Sequence, residues 1–264
     1  LDDSRDGLAD KPWSRRVWYP LSRLSQVAAS ARLADRLIVL TESDRQFALD
    51  QGWQPADRVC VVPHGVSERF FSGSPPDAGR GSGALFCGSW DHMKGIRYLA
   101  DAFDALAAAG RPVPLTILGP GPDAATVRGA FSEAARPHVR VIDCVPEERV
   151  IEEYRRHDLL VFPSTYEGFG LVVIEAMSQG LPVVAAPVGC VPDLVRDGES
   201  GVVVPLRDSR ALAAAVARLM ASPGERARLG AGAARRVAGM TWARTAARTL
   251  EVYEEARASL RGRR

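Results

Sequence analysis

The chain has 264 residues, of which 46% are hydrophobic and 25% are charged, a composition typical of a globular protein with one large domain or two small ones. The 34 Lys and Arg residues nearly balance the 32 Asp and Glu residues, and the formal net charge of +2 predicts no nucleic-acid partner. No apolar run approaches the ~20 residues that span a bilayer, and no signal peptide is recognisable.

The early part of the chain contains two short predicted strands and one helix. "ADRLIVLTESDRQFALDQGW" (34–53) predicts a strand, a cap and a helix. Ser43 and Gln46 stand at the spacing of a capping box, and Gly52 suits the helix end. "RVCVVPHGV" (58–66) predicts the second strand. These elements bury too little surface to fold alone, so we expect them to be the end of another domain.

From Gly83 onward, short apolar runs alternate with helical patterns. The runs that predict strands are 84–88, 114–119, 139–145, 158–164, 182–187 and 201–205. One helical pattern places Ile96, Leu99, Phe103 and Leu106 on one face and stops at Gly110. Buried strands that alternate with helices predict an α/β fold with a parallel, doubly wound sheet. Ligands of such sheets bind beyond the carboxyl ends of the strands.

The last segment, "TWARTAARTLEVYEEARASL" (241–260), predicts an amphipathic helix. Its expected packing stripe consists of Trp242, Ala246, Leu250 and Tyr253.

These patterns predict a division into domains. Residues 1–71 are expected to be the end of an N-terminal domain, and the Pro-, Gly- and Ser-rich stretch 72–83 a linker. Residues 84–240 are expected to form the large domain, and 241–264 a terminal helix that crosses back toward the N-terminal domain. Because the first residue is Leu1 and the opening stretch is polar and aperiodic, we expect that an N-terminal part is missing.

Cysteines and histidines show no spacing typical of a metal site. The cysteines at 60, 87, 144 and 190 form no CxxC pair, which predicts buried reduced thiols and suits the cytosol. The histidines at 92, 138 and 157 are predicted to lie at the surface, and His64 to be structural.

The strongest functional signal is "PSTYEGFGLVVIEAMSQG" (163–180). A strand ends here, a glycine turn follows, and a helix begins near Gly170. The free N–H groups at a helix start bind anions. Glu175 interrupts an apolar helix, and a buried carboxylate needs partners such as the vicinal hydroxyls of a sugar or ribose. Taken singly, Glu175 could instead pair with an arginine and Glu167 could be a solvated loop residue, but together they favour a ligand site.

This stretch, with its continuation to "DGESGVVVP" (197–205), resembles the donor-binding half of the family 4 retaining glycosyltransferases, which have the GT-B fold of two facing Rossmann-like domains. The resemblance includes "VVPHGV" (61–66), "CGSWDHMKG" (87–95) and "LGPGP" (118–122) in the same order. It covers roughly residues 34 to 256. It implies that only the last elements of the first Rossmann-like domain are present.

The resemblance also implies roles for the residues of the motif. Glu167 would contact hydroxyls of the donor sugar, and Glu175 the ribose of the nucleotide. Backbone N–H groups around Gly168, Phe169, Gly170 and Leu171 would face the sugar and the diphosphate. Lys94 would bind the diphosphate and stabilise the charge that develops on the leaving group. Glu167 and Lys94 are therefore the catalytic candidates.

Three further positions are expected at the donor site. The family carries an arginine where this chain has Ser89, so a second cation is missing or supplied from elsewhere, with Arg97 as a candidate. Gly119 would shape the pocket floor, with a purely structural turn as the alternative. Val145 would contact the nucleotide base.

No Asp-x-Asp follows a strand, and the resembling enzymes use no metal, so we expect neither metal nor cofactor, the nucleotide sugar being a substrate. Trp13, Trp18 and Tyr19 lie among the arginines at 15, 16, 23, 32 and 36. These residues predict one of two things. Either a cytoplasmic protein makes peripheral contact with the inner face of the membrane, or a helix simply has a basic outer face.

The predicted function is thus transfer of a sugar, with retention, from a nucleoside-diphosphate-sugar donor to an acceptor hydroxyl. The sequence does not identify the acceptor, which could be a sugar, a lipid-linked glycan or a small molecule. The alternatives are a truncated half that binds the donor without turnover, or a GT-B epimerase or phosphorylase. A dehydrogenase is disfavoured because no GxGxxG follows the first strand of the large domain.

Overall fold

The computed structural model describes residues 25–72 and 81–261. The chain divides into two compact units, one formed by Leu1–Val62 with Arg248–Arg264 and the other by Pro63–Ala247. The aromatic residues of the predicted membrane contact, Trp13, Trp18 and Tyr19, lie outside the described residues, as do residues 73–80 of the predicted linker. Of the arginines around them, Arg32 and Arg36 are described.

Strands and helices are numbered in chain order. The strands are β1 Leu37–Val39, β2 Val59–Val61, β3 Ala84–Cys87, β4 Leu115–Leu118, β5 Val139–Ile142, β6 Leu159–Phe162, β7 Val183–Ala185 and β8 Gly201–Val203. The helices are α1 Ser25–Leu33, α2 Glu42–Asp50, α3 Ile96–Ala108, α4 Ala124–Gly129, α5 Glu147–Arg156, α6 Leu171–Ser178, α7 Val191–Leu194, α8 Ser209–Ala221, α9 Pro223–Val237 and α10 Trp242–Arg261. Short 3₁₀ turns cover Ala56–Arg58, Glu68–Phe71, His92–Lys94 and Arg136–His138.

In the first unit, β1 and β2 pair in parallel, and α2 connects them. The cap predicted at Ser43 is wrong. The helix begins at Glu42, and the Thr41 hydroxyl accepts a hydrogen bond from the Asp44 N–H at 3.0 Å. Thr41 is the last residue with extended backbone, so it is the position from which a side chain can reach the free N–H groups. Gly52 has a φ of +60° just beyond the helix, as predicted.

The second unit contains a six-stranded sheet in the order β5-β4-β3-β6-β7-β8, with every pair parallel. The predicted doubly wound parallel sheet is therefore confirmed, as are the approximate positions of all six strands. From β3 the chain winds outward through β4 to β5, then returns to β6 and winds outward on the other side. Because crossovers are right-handed, the two halves place their helices on opposite faces.

The core lies between the sheet and these helices. On one face α3 packs against α8, and on the other α6 packs against α9. The predicted face of α3 is confirmed, since Leu99, Phe103 and Leu106 are buried. Gly110 follows the helix with a φ of +70°, the left-handed conformation of a helix stop.

The packing stripe predicted for α10 is wrong. Trp242, Leu250 and Tyr253 are 46%, 58% and 60% exposed, whereas Val252 is fully buried. The less exposed side of the helix carries Val252 together with small residues such as Thr245 and Ser259. Small side chains let a helix approach its neighbours closely, so apolar size alone misidentified the packed side.

Of the three histidines predicted at the surface, His92 and His138 are exposed, but His157 is fully buried. Its Nδ1 lies 2.6 Å from the Glu153 carbonyl oxygen at the end of α5. Burial lowers the pKa of His157, although the neighbouring Glu153 opposes this. The prediction failed because the histidine ends an otherwise charged helix, and only the tertiary fold covers that helix end.

The four cysteines are free thiols, as predicted. The predicted burial is complete only for Cys190, and it is wrong for Cys144, which is exposed in the loop after β5. Among the helices within residues 25–72 and 81–261, none has the length and apolar character needed to cross a membrane.

Candidate functional site

The sheet changes winding direction between β3 and β6, which are neighbours in the sheet. In doubly wound folds this switch point opens a crevice at the carboxyl ends of the strands, and ligands bind there. The loops after β3 and β6 border the crevice, and they carry Lys94 and Glu167 respectively.

A glycine allows the turn after β3 to lie against the end of β6. Gly95, at the start of α3, has a φ of +70°. A Cβ atom there would overlap the carbonyl oxygen of Pro163. The Thr165 N–H then donates to the Met93 carbonyl oxygen at 2.8 Å. These two contacts hold the turn that carries Lys94 against the loop that carries Glu167.

Lys94 and Glu167 form an ion pair. Lys94 Nζ lies 2.6 Å from Glu167 Oε1, with the two side chains 30% and 9% exposed. The Ser164 hydroxyl, at the end of β6 and almost fully buried, donates to the same oxygen at 3.1 Å. The structure thus brings the two predicted catalytic residues together. Ser164 was not predicted as a site residue, although its place directly after the strand was a usable signal.

The glycine turn leads directly into α6. Gly170 has a φ of +93°, and no side chain caps the helix that begins at Leu171. Uncapped N–H groups at a helix start are available to an anion. Phe169 is buried, and its carbonyl oxygen accepts from the Cys190 N–H at 2.7 Å. Gly168 is exposed, with open space where a side chain would stand.

Glu175 lies in the second turn of α6, as predicted, and is half-buried. Its partner is not an arginine. The Tyr154 hydroxyl, from α5, donates to Glu175 Oε2 at 2.8 Å. Burial raises the pKa of Glu175, the hydrogen bond from Tyr154 opposes that rise, and the nearby Glu147 adds to it.

Tyr154 was missed as a site residue. It is fully buried, and burial raises its pKa well above the ordinary value. The thiol of Cys87, at the end of β3, lies close enough to this hydroxyl to influence its pKa. Burial raises the pKa of Cys87 to about 12, so the thiol stays protonated. One signal was present in the sequence, because Tyr154 is the single aromatic residue of the charged segment "EERVIEEYRR".

The remaining predicted residues surround the same end of the sheet. Ser89 is exposed in the turn after β3, and Arg97 is exposed in the first turn of α3. Gly119 follows β4 with a φ of +69° and open space where a Cβ would stand. Val145 is half-buried just before α5. The exposure of Ser89 and the open space at Gly119 leave their backbone accessible to a ligand.

His64 has aromatic neighbours at the edge of this site. Its ring centroid lies 5.1 Å from that of Phe169 in an edge-on arrangement and 5.2 Å from that of Trp242. Such ring pairs stabilise packing. His64 therefore supports the loop of the glycine turn through its contact with Phe169.

Within the described ranges, no three His, Cys, Asp or Glu side chains converge in a way that could hold a metal ion.

Comparisons with known proteins agree with this geometry. The family model described as glycosyl transferases group 1 matches residues 81–222, more than half of the chain. D-inositol 3-phosphate glycosyltransferase from Thermobispora bispora is 35% identical over 243 residues, which cover 85% of this chain and 56% of the relative. The enzyme of the same name from Acidothermus cellulolyticus is 33% identical over 248 residues, with coverages of 86% and 55%. The chain thus spans about half the length of these curated relatives.

Two solved structures illustrate the shared fold. Sucrose-phosphate synthase from Thermosynechococcus elongatus superposes with a TM-score of 0.76 at 29% identity, covering 90% of this chain and 62% of that one. Anabaena HepE in complex with UDP superposes with a TM-score of 0.71 at 20% identity, covering 86% and 65%. The parallel α/β architecture is that of the GT-B glycosyltransferases. The chain belongs to the glycosyl transferases of group 1.

Proposed function

We propose that this protein transfers a sugar from a nucleoside-diphosphate-sugar donor to an acceptor hydroxyl, with retention of configuration, as the family 4 enzymes do. The observation that carries the proposal is the Lys94–Glu167 pair at the switch point of the sheet, with an uncapped helix start between Glu167 and Glu175. A cation, two carboxylates and free N–H groups match the diphosphate, the hydroxyls and the phosphate oxygens of such a donor.

In the proposed reaction, the bond between the sugar C1 and the terminal phosphate oxygen breaks, and a bond between C1 and the acceptor oxygen forms. The nucleoside diphosphate leaves with the bonding electrons as added negative charge on its phosphate, and the acceptor's hydroxyl proton passes to that phosphate or to water. Lys94 and the N–H groups at the start of α6 stabilise that charge as it develops, which lowers the barrier because they are already oriented.

The two carboxylates divide the remaining contacts. Glu167 accepts hydrogen bonds from hydroxyls of the donor sugar, and it is held for this by Ser164 and Lys94. Glu175 accepts from the ribose hydroxyls. Gly119 and Ser89 line the diphosphate region and Val145 the base, while Phe169 and Gly168 shape the loop around the sugar.

We propose that the reaction needs no divalent metal, since Lys94 and the helix start supply positive charge where the diphosphate would lie. Transfer that persists in the presence of excess EDTA is expected, and transfer that is abolished by EDTA and restored by magnesium or manganese would contradict this part of the proposal.

The acceptor proposal comes from the relatives. Because the curated relatives are named D-inositol 3-phosphate glycosyltransferases, we propose D-inositol 3-phosphate as the first acceptor to test. We place the reaction in the cytoplasm, in keeping with the free thiols. The proposal of peripheral membrane contact rests on the aromatic residues at 13–19 and the arginines around them, of which Arg32 and Arg36 lie within the described residues.

The test is a transfer assay on the full 264-residue chain. UDP-, GDP- and ADP-sugars are incubated with D-inositol 3-phosphate and with simple sugars, and products are separated by mass spectrometry. The anomeric configuration of the product, read by proton NMR coupling, decides between retention and inversion. A product of inverted configuration would overturn the retaining assignment. If calorimetry shows that the protein binds none of the nucleotides, the whole proposed function is overturned.

A second candidate follows from the share of the relatives that the chain spans. A polypeptide with about half their length could bind the donor without transferring its sugar. Nucleotide binding in calorimetry together with no product in the transfer assay would support this candidate, and any enzyme-dependent product would exclude it.

A further inference from the structure

We propose that Tyr154 is a positioning residue for nucleotide recognition: it fixes Glu175 Oε2 so that Oε1 is presented to the vicinal hydroxyls of the ribose. This inference rests on the proposed function and deepens it. It adds a residue, outside the glutamate motif, that decides how strongly the site distinguishes a ribose from a deoxyribose.

The hydroxyl of Tyr154 is held in a fixed place. The side chain is fully buried, and its ring lies against Phe70 with centroids 6.2 Å apart. A buried tyrosine hydroxyl needs a hydrogen-bond partner, and it donates to Glu175 Oε2 at 2.8 Å. A glutamate has three side-chain torsions, and this bond removes much of their freedom before any ligand arrives.

Cys87 completes the arrangement. A tyrosine hydroxyl that donates its hydrogen to Glu175 can still accept one on its oxygen. The neighbouring Cys87 thiol, which burial keeps protonated, is a group that could donate it. Such a relay would run from the thiol to the hydroxyl to the carboxylate, and it would link the end of β3 with helices α5 and α6.

The second oxygen of Glu175 is the one available to a ligand. Within residues 25–72 and 81–261, the hydrogen bond to the Glu175 side chain goes to Oε2, and no described group donates to Oε1. Glu175 is half-buried rather than buried, so Oε1 can be reached. A nearby carboxylate, Glu147, makes this an anionic environment, which favours neutral donors such as hydroxyls over phosphates.

The experiment measures ribose discrimination by calorimetry on the full chain. UDP, GDP and ADP are compared with their 2′,3′-dideoxy forms, and the ratio of the two Kd values is taken for the nucleotide that binds. Tyr154→Phe keeps the ring and removes the hydroxyl. It should weaken binding of the ribonucleotide by about tenfold, the equivalent of one charge-assisted hydrogen bond, and leave binding of the dideoxy form nearly unchanged.

Two further variants make the result decisive. Tyr253→Phe makes the same chemical change at an exposed position and should leave the ratio unaltered. Cys87→Ala removes the thiol next to the Tyr154 hydroxyl. It should shift the ratio of the two Kd values in the same direction as Tyr154→Phe, but by less. It also provides the test if Tyr154→Phe fails to fold, as judged by circular dichroism.

The outcomes separate the two proposals. Equal losses for the ribonucleotide and the dideoxy form, or an unchanged ratio in a folded Tyr154→Phe variant, would show a merely structural tyrosine and overturn this inference alone. If the wild-type chain binds none of the three nucleotides, the proposed function fails, and the inference fails with it.

Discussion

Lys94 Nζ and Glu167 Oε1 lie 2.6 Å apart although 73 residues separate them in the chain. One follows β3 and the other follows β6, and these strands are neighbours at the point where the sheet changes winding direction. The pair has a functional consequence, because a diphosphate that enters the crevice would meet an ammonium already held by a carboxylate. The ligand must share or replace that contact.

The first prediction concerns the ammonium. Lys94→Ala should weaken binding of the nucleoside diphosphate by ~1.5–3 kcal/mol, the range for a hydrogen bond to a charged group. The chain has one other lysine, Lys11, and Lys11→Ala serves as the matched control in isothermal titration calorimetry. Equal affinity in the two variants would show that Lys94 does not contact the diphosphate.

Glu167 should act on the sugar rather than on the nucleotide. Glu167→Gln keeps the size of the side chain and its contact with Ser164, but removes the charge. We expect binding of the nucleotide sugar to fall by about tenfold, because a charge-assisted hydrogen bond is lost, whereas the free nucleoside diphosphate keeps or gains affinity since Lys94 is released. Competition calorimetry measures both. A loss for the free diphosphate as large as that for the nucleotide sugar would disprove the assignment.

Gly95 holds the turn of Lys94 against the end of β6. Gly95→Ala should destabilise the fold by more than the ~1–2 kcal/mol of left-handed strain, because the new Cβ would overlap the Pro163 carbonyl oxygen. Gly110→Ala is the matched control, since Gly110 has the same φ of +70° at the other end of α3 but open space around it. Urea unfolding of both variants isolates the overlap, and equal midpoints would contradict it.

Glu175 should make the protein less stable at neutral pH. Burial raises its pKa above the ordinary value of 4.5, so folding favours the protonated form and opposes the carboxylate. That cost is present above the raised pKa and disappears as the pH falls towards 4.5. Glu175→Gln, which keeps an acceptor for Tyr154, should therefore raise the melting temperature at pH 7.5 and lose this gain at pH 4.5. A gain of equal size at both pH values would argue against the buried charge.

His157 should make the fold sensitive to acid. Burial lowers its pKa from the ordinary 6.5, so below pH 6.5 the unfolded chain binds a proton that the folded chain resists, and stability falls. The drop in melting temperature between pH 7.5 and 5.5 should be smaller in His157→Gln than in the wild type. His138→Gln, at an exposed position, should retain the full drop. Identical drops in all three proteins would rule out His157 as the cause.

Much of the architecture followed from patterns of a few residues. The alternation of apolar runs with helical patterns predicted the six-stranded sheet, because strands buried on both faces have no polar side. The glycine turn and the motif around Glu167 and Glu175 predicted a site at the strand ends. The predicted division of the chain at 72–83 and the roles of the individual site residues stay predictions.

The errors share one physical cause. Thr41 rather than Ser43 caps α2, the small residues of α10 rather than its large ones face inward, and His157 is buried. In each case the local pattern was compatible with more than one arrangement. The choice depended on the backbone path or on neighbours that lie far away in the chain.

The sequence by itself determined the type of sheet, the end of the strands at which a ligand site is expected, and the residue types gathered there, because these depend on hydrophobic periodicity and on backbone freedom at glycine. Only the tertiary structure decided which side chains meet. Lys94 reaches Glu167, and Tyr154 reaches Glu175, because parallel strands and their helices bring distant segments to one crevice. Contacts between residues so far apart in the chain cannot be predicted from the spacing of residues within a short segment.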